Sequence, residues 1–216
     1  MRNRFDRQLE ELNANMIQMG NDISKAIERA IDALQTLDVE KAKNAVEADE
    51  GINDIERKIE NLCFKLLLSQ QPVARDLRVI SAALKMVTDM ERIGDNAADI
   101  ADGTIHLART GYKEGLRHIQ KMATETTYMV VKSIEAYVEK DKKKAEKVIE
   151  HDDVVDELFC KSREDIIHLI HKDPNLGEPA TDLLMVAKYF ERIGDHATNI
   201  AEWVIFSITG NHGKLC

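Results

Sequence analysis

Glu91-Arg92-Ile93-Gly94-Asp95 recurs unchanged as Glu191-Arg192-Ile193-Gly194-Asp195. Around the first copy, Val79, Ala83, Met86, Met90, Ile93, Ala97, Ile100 and Thr104 fall at steps of three and four. That period marks one buried stripe on a long helix. Upstream, Ile52, Ile55, Ile59, Leu62 and Leu66 form a second stripe of the same kind. Both are heptad-like seams, as in helices packed into a bundle. Breaks fall near Leu37-Asp38, Gln71-Pro72, Gly111, Lys140-Asp141 and the segment from Asp173 to Pro179. Asp38 and Asp141 suit N-caps, and Pro72 and Pro179 suit first helical turns. The spacing predicts six helices, over 3–36, 39–70, 73–109, 112–138, 141–171 and 179–209.

The pentapeptide belongs to a longer repeat. Ile31, Ala33, Asp38 and Ala42 match Ile134, Ala136, Asp141 and Ala145 at an offset of 103 residues. At the same offset, the stretch from Glu47 to Asn53 matches Glu150 to Asp156. A period near a hundred residues is too long for a solenoid unit. The expected fold is therefore all-α: two tandem three-helix bundles related by a pseudo-two-fold repeat. Residues 1–110 would form the first bundle and 111–216 the second, with the boundary near Gly111.

Composition agrees and excludes alternatives. Only 5% of residues are aromatic and three are proline, against 32% charged, which disfavours sandwiches and barrels. A formal charge of −9, from 39 acidic and 30 basic residues, gives no reason to bind a nucleic-acid backbone. It favours cations or a basic partner. Three cysteines, Cys63, Cys160 and Cys216, stand far apart with no CxxC, so a reducing cytoplasmic setting is expected. Cys63 and Cys160 read as small core-facing hydrophobes. No apolar run reaches the length of a membrane span, and the N-terminus lacks a targeting pattern.

On a helix, Glu91, Asp95 and Asp99 share one face, as do Glu191, Asp195 and Asn199. Asp49 with Asn53, and Asp152 with Asp156, add a short row on the preceding helix of each half. Packing those helices side by side would set like charges together, and a hard cation would relieve the repulsion. With Met90 and Ile93 at core positions, the acidic row points outward. That disfavours a buried di-iron centre, whose ligands project inward. A surface metal site and a plain solvated face both remain open. Gly94 and Gly194 lean toward a functional packing, since a mid-helix glycine costs about 1 kcal/mol against alanine.

Other candidates are weaker. Asp165, His168 and His171 have helical ligand spacing but no second copy. Lys142-Lys143-Lys144 reads as a solvated run. Arg75 and Arg78 could hold an anion, with surface ion pairing the simpler reading. No nucleophile–base pair, phosphate loop or HExxH stands out, so no catalytic residue is nominated and the chain reads as a non-enzyme.

Two copies of the ERIGD motif, Gln70-Gln71-Pro72 leading to Asp76-Leu77-Arg78, and the stretch from Asp152 to Leu158 together resemble the PhoU family over essentially the whole chain. That resemblance implies surface sites for divalent or trivalent metal ions, multinuclear iron among them, with zinc, manganese or magnesium as alternatives. Carried over by position, the first site would use Asp49, Glu91, Asp95 and Asp99. The second would use Asp152, Asp156, Glu191 and Asp195. Asn53 stands where the family more usually has a carboxylate, which weakens the first site, and His196 is an added candidate ligand in the second. The resemblance further implies a homodimer that negatively regulates phosphate uptake and the phosphate-starvation response. It would couple the ATPase of the phosphate ABC transporter to a sensor histidine kinase and reach the membrane only through those partners. A metal-dependent redox or iron-handling bundle is the alternative, and a metal-free adaptor for a basic partner is a third reading.

Overall fold

A computed structural model describes residues 2–69, 73–111 and 116–211. The motif Gln70-Gln71-Pro72 and Cys216 lie outside the described residues. Helices α1 (Arg2–Thr36), α2 (Val39–Glu47), α3 (Asp49–Ser69) and α4 (Ala74–Thr110) form the first half. Helices α5 (Leu116–Glu139), α6 (Lys142–Lys172) and α7 (Gly177–Thr209) form the second, with a 3₁₀ turn at Pro174–Leu176. No strand occurs among the described residues. The expected second helix is interrupted at Ala48, where α6 runs unbroken through the matching stretch. Gly51 stands three residues beyond the interruption where α6 has Val154, and glycine weakens a helix by about 1 kcal/mol.

The repeat is visible in the turns. Asp38 Oδ1 accepts from the backbone N–H of Glu40 and Lys41 at 3.0 and 3.1 Å, and Asp141 Oδ1 accepts from Lys144 N–H at 3.1 Å. The Asp38 N–H donates to the Ala33 carbonyl and the Asp141 N–H to Ala136. Each closes a six-to-one helix end around a left-handed residue, Leu37 at φ 52° and Lys140 at φ 53°. Ala33, Asp38, Ala136 and Asp141 therefore match because they build the same corner twice.

Within each half the helices pack as a three-rod bundle, and the halves meet where α4 lies along α7 and α1 crosses α5. The α4 stripe is buried as its period predicted, from Ala83 through Met86, Met90, Ile93, Ala97, Ile100 and Thr104. Gly20 lets α1 approach α5: a Cβ there would lie 2.6 Å from Ile134 Cδ1. Cys63 is buried, which pushes its thiol up to about 12. Cys160 is exposed, correcting the core reading. At the repeat offset it corresponds to Arg57 on the solvent side, whereas Cys63 corresponds to buried Ile166. No described helix is long and apolar enough to cross a membrane.

Candidate metal centre

Each half presents a carboxylate face where the helix carrying ERIGD meets its neighbour. In the first half, α3 crosses α4 at Gly94. A Cβ there would stand 3.0 Å from Asp49 Oδ1 and 3.1 Å from two carbons of Ile52. In the second half, α6 crosses α7 at Gly194, where a Cβ would stand 3.4 Å from Asp152 Oδ1 and from Val155 Cγ1. Both glycines thus seat an aspartate of the adjacent helix beside the ERIGD backbone, the close approach their mid-helix position called for.

Asp49, Glu91 and Asp95 on the first face are half-buried, and Asp99 is exposed. Burial raises the Asp49 carboxyl above its ordinary range, Asp95 and Asp99 add to the rise, and the Asn53 amide opposes it. Asn53 Nδ2 donates to Asp49 Oδ2 at 3.1 Å, while Asp49 Oδ1 is buried without a hydrogen-bond partner. Glu91 is raised by burial and then by Asp95, with Glu56 and Asp49 contributing. Its only cation is its neighbour Arg92, at 3.4 Å, among the described ion pairs. Asp99 is raised by burial and Asp95, with Arg192 of the other half opposing.

Glu56 went unread in the sequence, and Arg192 was read only as part of the repeated motif. Glu56 lies seven residues after Asp49, on the same face of α3, and that spacing was available as a signal. It is itself raised by burial and by Glu60. Arg192 acts across the α4–α7 seam, a contact no local spacing encodes.

The second face carries the same acids with different company. Asp152 is half-buried, and its carboxyl is pushed up to about 6 by burial, then by Asp156 and Asp195. Asp195 is raised by burial and Glu191, opposed by Lys188 and His196. The Lys188 ammonium pairs with Glu191 and sits 5.4 Å from the Phe159 ring centre. Phe159 occupies the position of Glu56, and Lys188 that of Thr88. His196 Nδ1 lies 2.9 Å from Asp89 Oδ1, and Asn199 Nδ2 donates to the same oxygen at 3.1 Å. Both side chains therefore lock α7 to α4. Among the weaker candidates, Asp165 pairs with His118 at 2.8 Å. Lys142 and Lys143 are exposed, as a solvated run expects, whereas Lys144 is half-buried and paired with Glu135 and Glu139 at 3.1 and 2.9 Å.

Neither face is a finished cage: no three described Asp, Glu, His or Cys side chains converge as metal ligands in this arrangement. The donor chemistry nevertheless fits a hard cation. The groups are all-oxygen, anionic, mutually destabilised and, at Asp49 Oδ1, unpartnered. The faces lie outside the apolar core, so the inward-ligand redox bundle is not favoured.

An all-α duplication with an acidic face on each copy defines a tandem three-helix-bundle protein. The PhoU domain model matches residues 16–104 and again 119–204. A protein of Clostridium acetobutylicum named phosphate-specific transport system accessory protein PhoU homolog is 37% identical over 212 residues, covering 98% of this chain and 97% of the relative. A Thermotoga maritima PhoU homolog 1 is 32% identical, covering 97% and 91%. The crystal structure of PhoU from Pseudomonas aeruginosa superposes with a TM-score of 0.93 at 32% identity, covering 96% of this chain and 100% of that one. The chain belongs to the PhoU family.

Proposed function

We propose that this protein is a cation-binding adaptor that restrains phosphate uptake and the phosphate-starvation response. It would act at the cytoplasmic side of a phosphate ABC transporter, contacting the transporter ATPase and a sensor histidine kinase, as a homodimer without catalytic or nucleic-acid-binding activity. The role is supported by one observation: relatives along nearly the whole chain are named as phosphate-specific transport accessory proteins. Residues 1–110 and 111–216 would serve as two similar but unequal cation-binding modules.

Asp49, Glu56, Glu91, Asp95 and Asp99 would hold cations on the first module, and Asp152, Asp156, Glu191 and Asp195 on the second. A bound hard cation such as magnesium, manganese or iron would supply positive charge to carboxylates that now repel one another. On this reading Glu56 compensates for Asn53, so the first module is the tighter one. The role is tested in a bacterium lacking its own PhoU and carrying a phosphate-starvation reporter. Expression of this chain should return the reporter to its repressed level in high phosphate. A reporter that stays fully on, with the protein present at normal abundance, would contradict the role.

A further inference from the structure

A cavity of about 490 Å³ opens between α1, the first turns of α4, the α5–α6 corner and the end of α7. Arg75, Arg78 and Lys140 all line it. None of the three has an ion-pair partner among the described residues, although the chain carries a formal charge of −9. Elsewhere Lys41, Lys142, Lys144 and Lys161 each hold an acid within 3.1 Å. The expected surface ion pairing of Arg75 and Arg78 is therefore not found. Asp76 lies in an adjoining hollow with Arg75 and Lys140 and carries no ion pair among the described residues.

Arg78 is held half-buried, with its Nε buried and lacking a hydrogen-bond partner. Gly210, at φ +77°, makes the room: a Cβ there would lie 3.3 Å from Arg78 Cδ and 3.5 Å from Nε. A buried donor left unmatched costs free energy that an anion can recover. Tyr137 is almost fully buried beside the cavity, and its hydroxyl donates to Asn13 Oδ1 at 2.6 Å. The remaining walls are mostly aliphatic, Val79 and Ile208 among them.

The fold does not require this cluster. In the other half, the positions of Arg75, Arg78 and Lys140 are held by Asn175, Glu178 and Leu37. Duplication supplied the scaffold, and this end carries three cations that no acid pairs among the described residues. The size lies within the usual range for small-molecule sites, and far exceeds what a bare tetrahedral anion fills. Arginine forks match phosphate oxygens in pairs.

We propose that this cavity binds a small molecule of nucleotide size, its phosphate group on Arg75, Arg78 and Lys140 and its apolar body against Val79 and Ile208. The proposal rests on the cavity alone, not on the transport role. Calorimetric titration of the full-length protein with AMP, ATP, inorganic phosphate and adenosine tests it. A nucleotide should bind at least about tenfold more tightly than inorganic phosphate, and adenosine should bind weakest. Arg78→Gln should weaken nucleotide binding by about tenfold or more, and so should Lys140→Glu on an exposed side chain that folding can spare. Thermal melts confirm that each variant is folded. The proposal is overturned if neither nucleotide binds, if phosphate alone binds as well as a nucleotide, or if the folded Lys140→Glu protein retains wild-type affinity.

Discussion

The two carboxylate faces descend from one pattern and have come to differ in charge balance. On the first, α3 brings Asp49 and Glu56 to Glu91 and Asp95, and Arg92 is the adjacent cation. On the second, Phe159 replaces Glu56, and Lys188 pairs with Glu191 from the position of Thr88. Identical ERIGD pentapeptides thus sit in unlike fields. The difference lies in where the repulsion falls: the first half leaves Glu91 opposed only by Arg92, while the second pairs Glu191 with a lysine and concentrates its repulsion at Asp152. Retained repulsion costs stability in the cation-free protein and favours cation binding.

The glycines should separate the halves most sharply. Gly94→Ala places a methyl 3.0 Å from Asp49 Oδ1 and 3.1 Å from buried Ile52. It should destabilise by about 1–3 kcal/mol despite the better helix propensity. Gly194→Ala meets ordinary contacts at 3.4 Å and should stabilise by up to about 1 kcal/mol. Urea denaturation of the two variants checks the opposite signs.

Exchanging the lysine comes next. Thr88→Lys should weaken cation binding on the first face by about tenfold, near 1.4 kcal/mol, and Lys188→Thr should strengthen the second by a similar factor. Manganese titrations on each variant read the change. Equal shifts of both faces in either variant would break the comparison.

The smallest effect is in pH. Asp152 holds its proton to about pH 6 when folded, against 3.8 for an ordinary aspartate. The folded state therefore binds that proton more tightly than the unfolded chain. The group's stabilising contribution is complete below about pH 4 and is lost as pH rises through about 6. In cation-free protein, Asp152→Asn should flatten this loss, by under about 1 kcal/mol after solvent screening. Denaturation curves at pH 4.5 and 7 test it.

Most of the fold was legible because period and capping are local. The stripes through Met86, Met90 and Ile93, the caps at Asp38 and Asp141 and the repeat offset all follow from spacing along one helix or one corner. The interruption at Ala48 was not legible, since a helix read from period alone continues through Gly51. The acidic rows were legible for the same reason that the stripes were. Their partners were less so: Arg192 against Asp99 and His196 against Asp89 depend on how α4 lies along α7. Cys160 was misread because a cysteine's size says nothing about which face it occupies.

The unequal-face account is tested most directly by manganese binding to metal-stripped protein carrying Glu91→Ala/Asp95→Ala or Glu191→Ala/Asp195→Ala. The first pair should abolish the tighter class of sites and leave the weaker intact, and the second pair should do the reverse. Equal losses from both pairs, or binding unchanged by either, would contradict it.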